Sequence, residues 1–481
     1  MDDDGKDNHP EARPDTLGTA PGEPDPRDHA VVLGAGVAGL LAARVLADRF
    51  ACVTLVERDE LTGDGPEFRP GVPQSRHAHV LWARGVQLIE ELLPGITDRL
   101  IADGAALLDT PGDFLWLSPA DWFHSVPGAK LLVGGRELID WTVRREVLKH
   151  ERIRLRAGSA ATGLVGTADG RAVTGVELQA GDRLAARFVV DATGRTSKAS
   201  AWLAALGHSA PEISRYDSHL GYSSRYFEIP QDPGRRWQGM YVQGRPESPR
   251  GAVVLPQDGD RWLVTLIGNG EHSPPTKEEE FLGFARSLRS PALYDAIRTA
   301  KPLSSPIGFR ATANEWRHYE RLDRPPAGFV VLGDAACRFN PVYGHGMTVA
   351  ALAADALRKE IRMLPVADVP AAAPRIQRRT VAAAEVAWQI ATSEDMRYPE
   401  TEGPPPDRAT RVLQRYMSRV MVGANTDPAL SDRFFGVLSL SASPNTLLGP
   451  ATMLRVLSKW RTPTAPATTA YPPHHGPPGS A

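Results

Sequence analysis

The sequence predicts an α/β protein built around a parallel sheet, and three observations predict it. A short apolar strand at 30–33 runs into Gly34-Ala-Gly36-Val37-Ala38-Gly39 and then into a helical stretch at 40–48. A second strand at 52–56 follows and ends in an acid, Glu57. Two more passages far downstream, at 188–207 and 329–355, repeat the order strand, glycine turn, helix.

The first passage is the most specific. Gly34 permits the tight turn, Gly36 lets backbone approach a pyrophosphate, and Gly39 allows the helix to pack closely on the strand. The helix start, with Val37 and Ala38, aims unpaired N–H groups at phosphate charge. Glu57 stands twenty-three residues beyond Gly34, near the roughly 20 expected of a ribose-binding carboxylate. Glycines also make ordinary turns. The ordered strand, helix and acid favour a dinucleotide-binding Rossmann unit instead.

The fingerprint alone does not separate FAD from NAD. Arg58 after Glu57 would sit near an adenine, or be a solvated strand end. Downstream, a strand at 329–332 closes on Gly333-Asp334, and Pro341-x-x-Gly344-x-Gly346-Met347 leads into an alanine-rich helix containing Asp355. This resembles the GD…PxxGxGM element of flavin monooxygenases. The resemblance implies that Asp334 meets the ribityl chain and that the helix start faces the pyrimidine edge of the flavin, where its dipole favours negative charge. Between the two lies a strand at 188–190, with Asp191-Ala-Thr-Gly194-Arg195 turning into a helix. It resembles the DG or DATG motif that lies close to the FAD pyrophosphate.

Together these elements resemble flavoproteins of the para-hydroxybenzoate hydroxylase and squalene epoxidase type. GVPQSRHAHVLWARGVQLIEELLPGI at 71–96, DWTVRREVL at 140–148 and FNPVYGHGM at 339–347 are most similar to bacterial polyene epoxidases of polyether polyketide pathways. The resemblance covers roughly residues 29–460. It implies a glutathione-reductase-type, Rossmann-like FAD domain (29–210 and 311–365), an inserted β-sheet substrate domain (211–310) and a C-terminal helical region (366–460). It also places Arg76 near the flavin and makes Arg136 a helix-borne FAD contact, although a solvated helix-start arginine is the plain alternative. Of His77 and His79, at most one is expected to face the flavin, and without a third ligand a metal role is not expected.

Two departures narrow the chemistry. Many aromatic hydroxylases carry histidine after the GD motif, whereas Cys337 and Arg338 stand here, which argues against simple phenol hydroxylation. Flavin halogenases share the fingerprint, but their WxWxIP motif is missing and Trp116 is only a partial echo of it.

Composition sets the remaining bounds. A formal charge of −2 gives no electrostatic reason for nucleic acid as partner. Two cysteines, Cys52 and Cys337, lack CxxC spacing and fit a reducing, cytoplasmic setting. No apolar run reaches the roughly 18–20 residues of a membrane span. Residues 1–28 and 461–481 are low-complexity segments expected to be disordered, without means of packing a core.

The expected activity is an FAD-dependent monooxygenase that epoxidises alkenes of a polyketide intermediate, in antibiotic or other secondary-metabolite biosynthesis. The substrate is a large apolar polyene. The flavin carries the hard chemistry, and no catalytic side chain is nominated. A second reading stays open: an FAD-containing [4+2] cyclase forming a decalin, as in spirotetronate and spirotetramate pathways, would keep every motif quoted. With no second GxGxxG in strand–helix context, electrons are expected from a separate flavin reductase or from NAD(P)H visiting transiently.

Overall fold

The structure, a computed structural model, describes residues 24–61, 63–124, 128–232, 234–459 and 471–472. Most of the two segments expected to be disordered lies outside the described residues.

The centre is a five-stranded sheet in the order Phe329–Val331, Phe188–Asp191, His29–Leu33, Cys52–Val56 and Ile153–Arg156. Every pairing in it is parallel. The inner strands HAVVL and CVTLV are buried at every position, as a parallel sheet covered on both faces requires. On one face the helices Val37–Ala47 and Gly346–Ile361 pack with Phe50, Leu55 and Val190 in one apolar cluster. The other face is covered by the antiparallel strands Ala161–Gly166, Val173–Leu178 and Arg183–Ala185 and the helix Ala199–Ala205. The first helix begins at Val37, three residues before the expected start. Gly36 takes the extended N-cap conformation (φ −79°, ψ 175°), so the glycine run itself opens the helix.

A six-stranded sheet stands beside this unit, in the order Ile307–Phe309, Leu220–Glu228, Arg261–Asn269, Gly251–Gln257, Gly239–Val242 and Phe114–Leu117. Alternation sorts its side chains. Phe227, Met240, Val254, Val264 and Leu266 pack against the helices Glu278–Arg286 and Ala292–Ile297. Tyr222, Tyr241, Val253, Leu255, Thr265 and Ile267 face the opposite way and line a cavity. The division at 211–310 differs from the structure at two points. The edge strand Phe114–Leu117 comes from the first part of the chain and pairs in parallel with Gly239–Val242. Ile213–Tyr216 instead pairs with Asn314–Arg317, away from this sheet.

Helices of the C-terminal region close over that cavity. The C-terminal region is helical, with Ala373–Ala382, Glu385–Asp395, Arg408–Ala424, Pro428–Leu438, Asn445–Leu448 and Pro450–Ser458. Asp427 caps the helix Pro428–Leu438 by accepting from Ala429 N and Leu430 N (2.9 and 3.2 Å), as Asp-Pro predicts. Within the tail, Tyr471 packs against the apolar cluster of the six-stranded sheet, and its hydroxyl donates to Asp295. At that residue the tail does contribute packing, since one aromatic ring finds an apolar seat.

Candidate functional site

A cavity of about 410 Å³ runs along the carboxyl ends of the parallel strands. Gly34, Gly36, Val37 and Ala38 line it beyond the first strand, Glu57 and Arg58 beyond the second, and Gly333 and Asp334 beyond Phe329–Val331. In open α/β sheets ligands bind in this crevice.

Each glycine has a separate reason. Gly34 has φ +93°, and a Cβ there would lie 2.6 Å from the Ala192 carbonyl oxygen. A Cβ on Gly36 would meet nothing nearer than Arg136 Nη2 at 4.0 Å. That position is open cavity floor, which a side chain would fill. Gly39 does not line the cavity; it packs helix on strand. No side chain caps the helix Val37–Ala47, so its first N–H groups remain available beside the cavity.

Glu57 is buried. Its carboxylate accepts from Ala35 N (2.7 Å) and Asp59 N (3.0 Å) and pairs with Arg69 (3.4 Å). Arg69 continues to Asp140 (3.0 Å), which Arg136 also holds (2.7 Å). Burial pushes the Asp140 carboxyl up, but Arg136 and Arg69 outweigh it and keep the group below the ordinary carboxylate range. Arg136 lines the cavity from the start of the helix Arg136–Val147. Arg69 was not among the sequence candidates, because nothing in FRPG marks a buried ion-pair centre. Arg58 lines the cavity and reaches Thr196 Oγ1 (3.3 Å).

At the far end Asp334, Pro341, Gly344, Gly346 and Met347 line the cavity. Asp334 accepts no hydrogen bond among the described residues, and burial raises its pKa against the pull of Arg195, Arg136 and Arg338. Gly344 has φ +67° and ends the turn Pro341–Tyr343, and the helix Gly346–Ile361 starts without a side-chain cap. Behind the turn, Asp395 accepts from Asn314 (2.6 Å), Asn340 (3.2 Å) and Tyr343 (2.7 Å). Burial pushes this carboxyl up to about 6 despite those donors.

Two sequence candidates are placed elsewhere. Asp191 is buried beneath the cavity and accepts from Thr193 N (2.9 Å), Thr193 Oγ1 (2.6 Å) and Ser197 Oγ (2.5 Å). Its oxygens are consumed in holding the turn, and Ala192–Thr196 line the cavity in its place. Arg76 lines neither this cavity nor its neighbour. It is exposed, with its guanidinium 4.5 Å from the Phe68 ring centroid. The turn Pro73–Arg76 delivers Gln74 to the cavity and sends Arg76 outward.

A second cavity of about 390 Å³ lies against the six-stranded sheet. It shares Ala78, Val80, Pro341 and Gly344 with the first, so the two meet at the PxxG turn. Its walls are mostly apolar: Trp82, Phe114 and Trp116 below, Met417, Met421 and Phe434 from the C-terminal helices. Trp116 packs tilted against Tyr241 and edge-on against Phe435 (centroids 5.2 and 5.6 Å away) and donates to Gln243 Oε1 (3.0 Å), which makes it a wall residue. His79 lines the first cavity and His77 the second. A regular strand would put residues two apart on one face. These two diverge because the chain leaves a 3₁₀ turn at Arg76 and becomes strand only at Val80. Burial drives His79 down to about 3, with Arg136 adding to the effect, so it is neutral near pH 7.

The fold and these paired cavities define an α/β protein with the architecture of the FAD-dependent monooxygenases. It matches the flavin-dependent brominase Bmp2 (TM-score 0.63, 15% identity, 90% of this chain and 99% of that one). It also matches PqsL, a probable FAD-dependent monooxygenase from Pseudomonas aeruginosa (0.57, 18%, 77% and 97%). The Diels-Alderase PyrE3 of the pyrroindomycin pathway shares the fold too (0.57, 15%, 86% and 80%). In sequence the chain is 31% identical over 435 residues to Protein Rv3254 of Mycobacterium tuberculosis, spanning 86% of this chain and 90% of that protein, and it belongs to that protein's family. No model of a known protein family matches it. Among the described residues no helix is long and apolar enough to cross a membrane.

Proposed function

We propose that this chain is an FAD-dependent monooxygenase acting on a large apolar substrate, with epoxidation of a polyketide alkene as the specific reaction. One observation carries the reading: an apolar cavity borders the dinucleotide crevice and shares with it the wall at the Pro341–Gly344 turn. The crevice suits FAD in its open floor at Gly36, the uncapped helix start at Val37, the acceptor at Asp334 and the cation at Arg136. Glu57, held by Ala35 N and Arg69, is placed for the ribose of the adenine half.

Reduced FAD supplies oxygen activation when bound. The chain's own residues bind and orient. The glycines and the helix start would carry the pyrophosphate, and Asp334 would accept from a ribityl hydroxyl. The uncapped start of the helix Gly346–Ile361 would favour negative charge beside it. Trp82, Trp116, Phe434 and their neighbours exclude water and hold an alkene at the shared wall. A flavin reductase, or NAD(P)H directly, provides the electrons.

The rival reading is cycloaddition with FAD as a structural group, favoured by the likeness in fold to PyrE3. Turnover of a candidate polyene under labelled oxygen tests both. Incorporation of one labelled oxygen atom per epoxide, about 18 mass units from heavy oxygen against about 16 from ordinary oxygen, and loss of turnover without oxygen support the monooxygenase. A product isomeric with its substrate, formed equally well without oxygen or reductant, replaces it with the cyclase.

A further inference from the structure

We propose that His77 is the polar anchor of the apolar cavity, hydrogen-bonding through Nε2 to a hydroxyl or carbonyl oxygen of the substrate. The inference rests on reading that cavity as the substrate site.

His77 lines the second cavity and is 5% exposed. Its ring is wedged between Phe309 and Tyr222, with centroids 5.2 and 6.0 Å away. Nδ1 lies 2.8 Å from Ser224 Oγ, and Ser224 Oγ lies 2.7 Å from Thr265 Oγ1. Nε2 is buried and has no hydrogen-bond partner. A buried polar atom left unpaired bears its whole desolvation cost, which a partner supplied by an occupant of the cavity would relieve. Neighbouring polar groups are already engaged: Tyr222 donates to Asn340 (3.3 Å), Gln243 accepts from Trp116, and Thr265 is tied to Ser224.

The hydroxyl relay sets the polarity of the anchor. If Ser224 accepts from Nδ1–H, Nε2 is an acceptor and takes a hydroxyl. If Ser224 donates to Nδ1, Nε2–H is a donor and takes a carbonyl or hydroxyl oxygen. Burial drives the imidazole down to about 4, with Arg76 adding to it, so the ring is neutral near pH 7 and acts by hydrogen bonding rather than by charge. His77 also precedes Ala78, a residue of the wall shared with the first cavity. An oxygen fixed here therefore determines which bond along an apolar chain reaches that wall. This is a positioning and specificity role.

The test is equilibrium binding of farnesol and of 2,6,10-trimethyldodeca-2,6,10-triene, the same skeleton without the hydroxyl, to the FAD-loaded protein. The wild type is expected to prefer the alcohol about five- to tenfold, the size of one net hydrogen bond. His77→Phe should abolish the preference while leaving hydrocarbon affinity in place, and His77→Gln should restore part of it. Equal affinity of the wild type for the two ligands, or a preference that survives His77→Phe, overturns the anchor and leaves the monooxygenase reading standing. Failure of both ligands to bind the wild type overturns the reading of this cavity as the substrate site and the anchor with it.

Discussion

A Cβ built on Gly39 would lie 1.8 Å from the carbonyl oxygen of Gly34, whereas one built on Gly36 would meet nothing within the ordinary contact range. Two glycines three residues apart thus serve different masters, one the fold and the other the space left for a ligand. Gly39→Ala should destabilise the protein by about 1–3 kcal/mol or more, as overpacking does, and lower its flavin content. Gly36→Ala should leave the thermal midpoint of the flavin-free protein unchanged and still reduce bound FAD. Flavin release on denaturation, measured beside the melting curves, distinguishes the two, and an unstable Gly36→Ala apoprotein would contradict the assignment.

Arg69 is buried between two buried carboxylates, Glu57 and Asp140. Removing it leaves Glu57 without its paired cation and Asp140 with Arg136 alone, and breaking a buried pair in this way costs about 3–5 kcal/mol. Arg69→Met should lower the urea midpoint accordingly, and the double variant Arg69→Met/Glu57→Gln, which removes the stranded charge, should recover part of the loss. A surface-like effect below about 1 kcal/mol would mean that the cluster is hydrated.

Asp395 gives a pH signature. Its folded pKa, raised to about 6 by burial, lies above the ordinary unfolded value near 3.8. The folded state therefore binds the proton more tightly, and the contribution is full below about pH 4 and is lost as pH rises through about 6. The stability of wild type relative to Asp395→Asn should fall by about 2–3 kcal/mol between pH 4 and pH 7. Urea unfolding of both proteins across that range is the measurement, and a flat difference would refute the coupling.

Gly344 stands where the two cavities meet, in a left-handed conformation, and a Cβ on it would lie 2.3 Å from Val80 Cγ2. Gly344→Ala should displace the turn without touching the adenine end. FAD should stay bound while turnover falls about 10–100-fold, the effect of a small misplacement at a reacting centre. Full activity in this variant would remove the turn from the reacting end.

Much of the cofactor end was legible from the sequence, because glycine spacing and the order strand, helix, acid report backbone requirements that few alternatives meet. Gly34, Gly36, Glu57, Arg136 and Asp334 line one cavity at the carboxyl ends of the parallel strands. Their role toward FAD belongs to the proposed function. What escaped were decisions made by side-chain direction. Arg76 turns outward from a 3₁₀ turn whose rotation no motif encodes. Asp191 spends its oxygens on its own turn, a use that leaves the same Asp-x-Thr-Gly letters as a ligand contact. Arg69 becomes important only because folding brings Asp140 from seventy-one residues away. The cavity wall is a long-range construction as well, assembled from three regions of sequence whose apolar letters look like any core.

The edge strand Phe114–Leu117 pairs in parallel with Gly239–Val242, although two strands of the parallel sheet, Ile153–Arg156 and Phe188–Asp191, lie between them in the chain. The half that bears the apolar cavity is therefore no removable cassette. A chimera that exchanged 211–310 with a relative would import five strands and leave the sixth behind, with Phe114 and Trp116 still shaped for the original occupant. Transplanting the shape of this cavity between members of the family requires exchanging two segments, the strand at 114–117 and the later sheet. Selection must likewise keep two distant stretches of the gene in step.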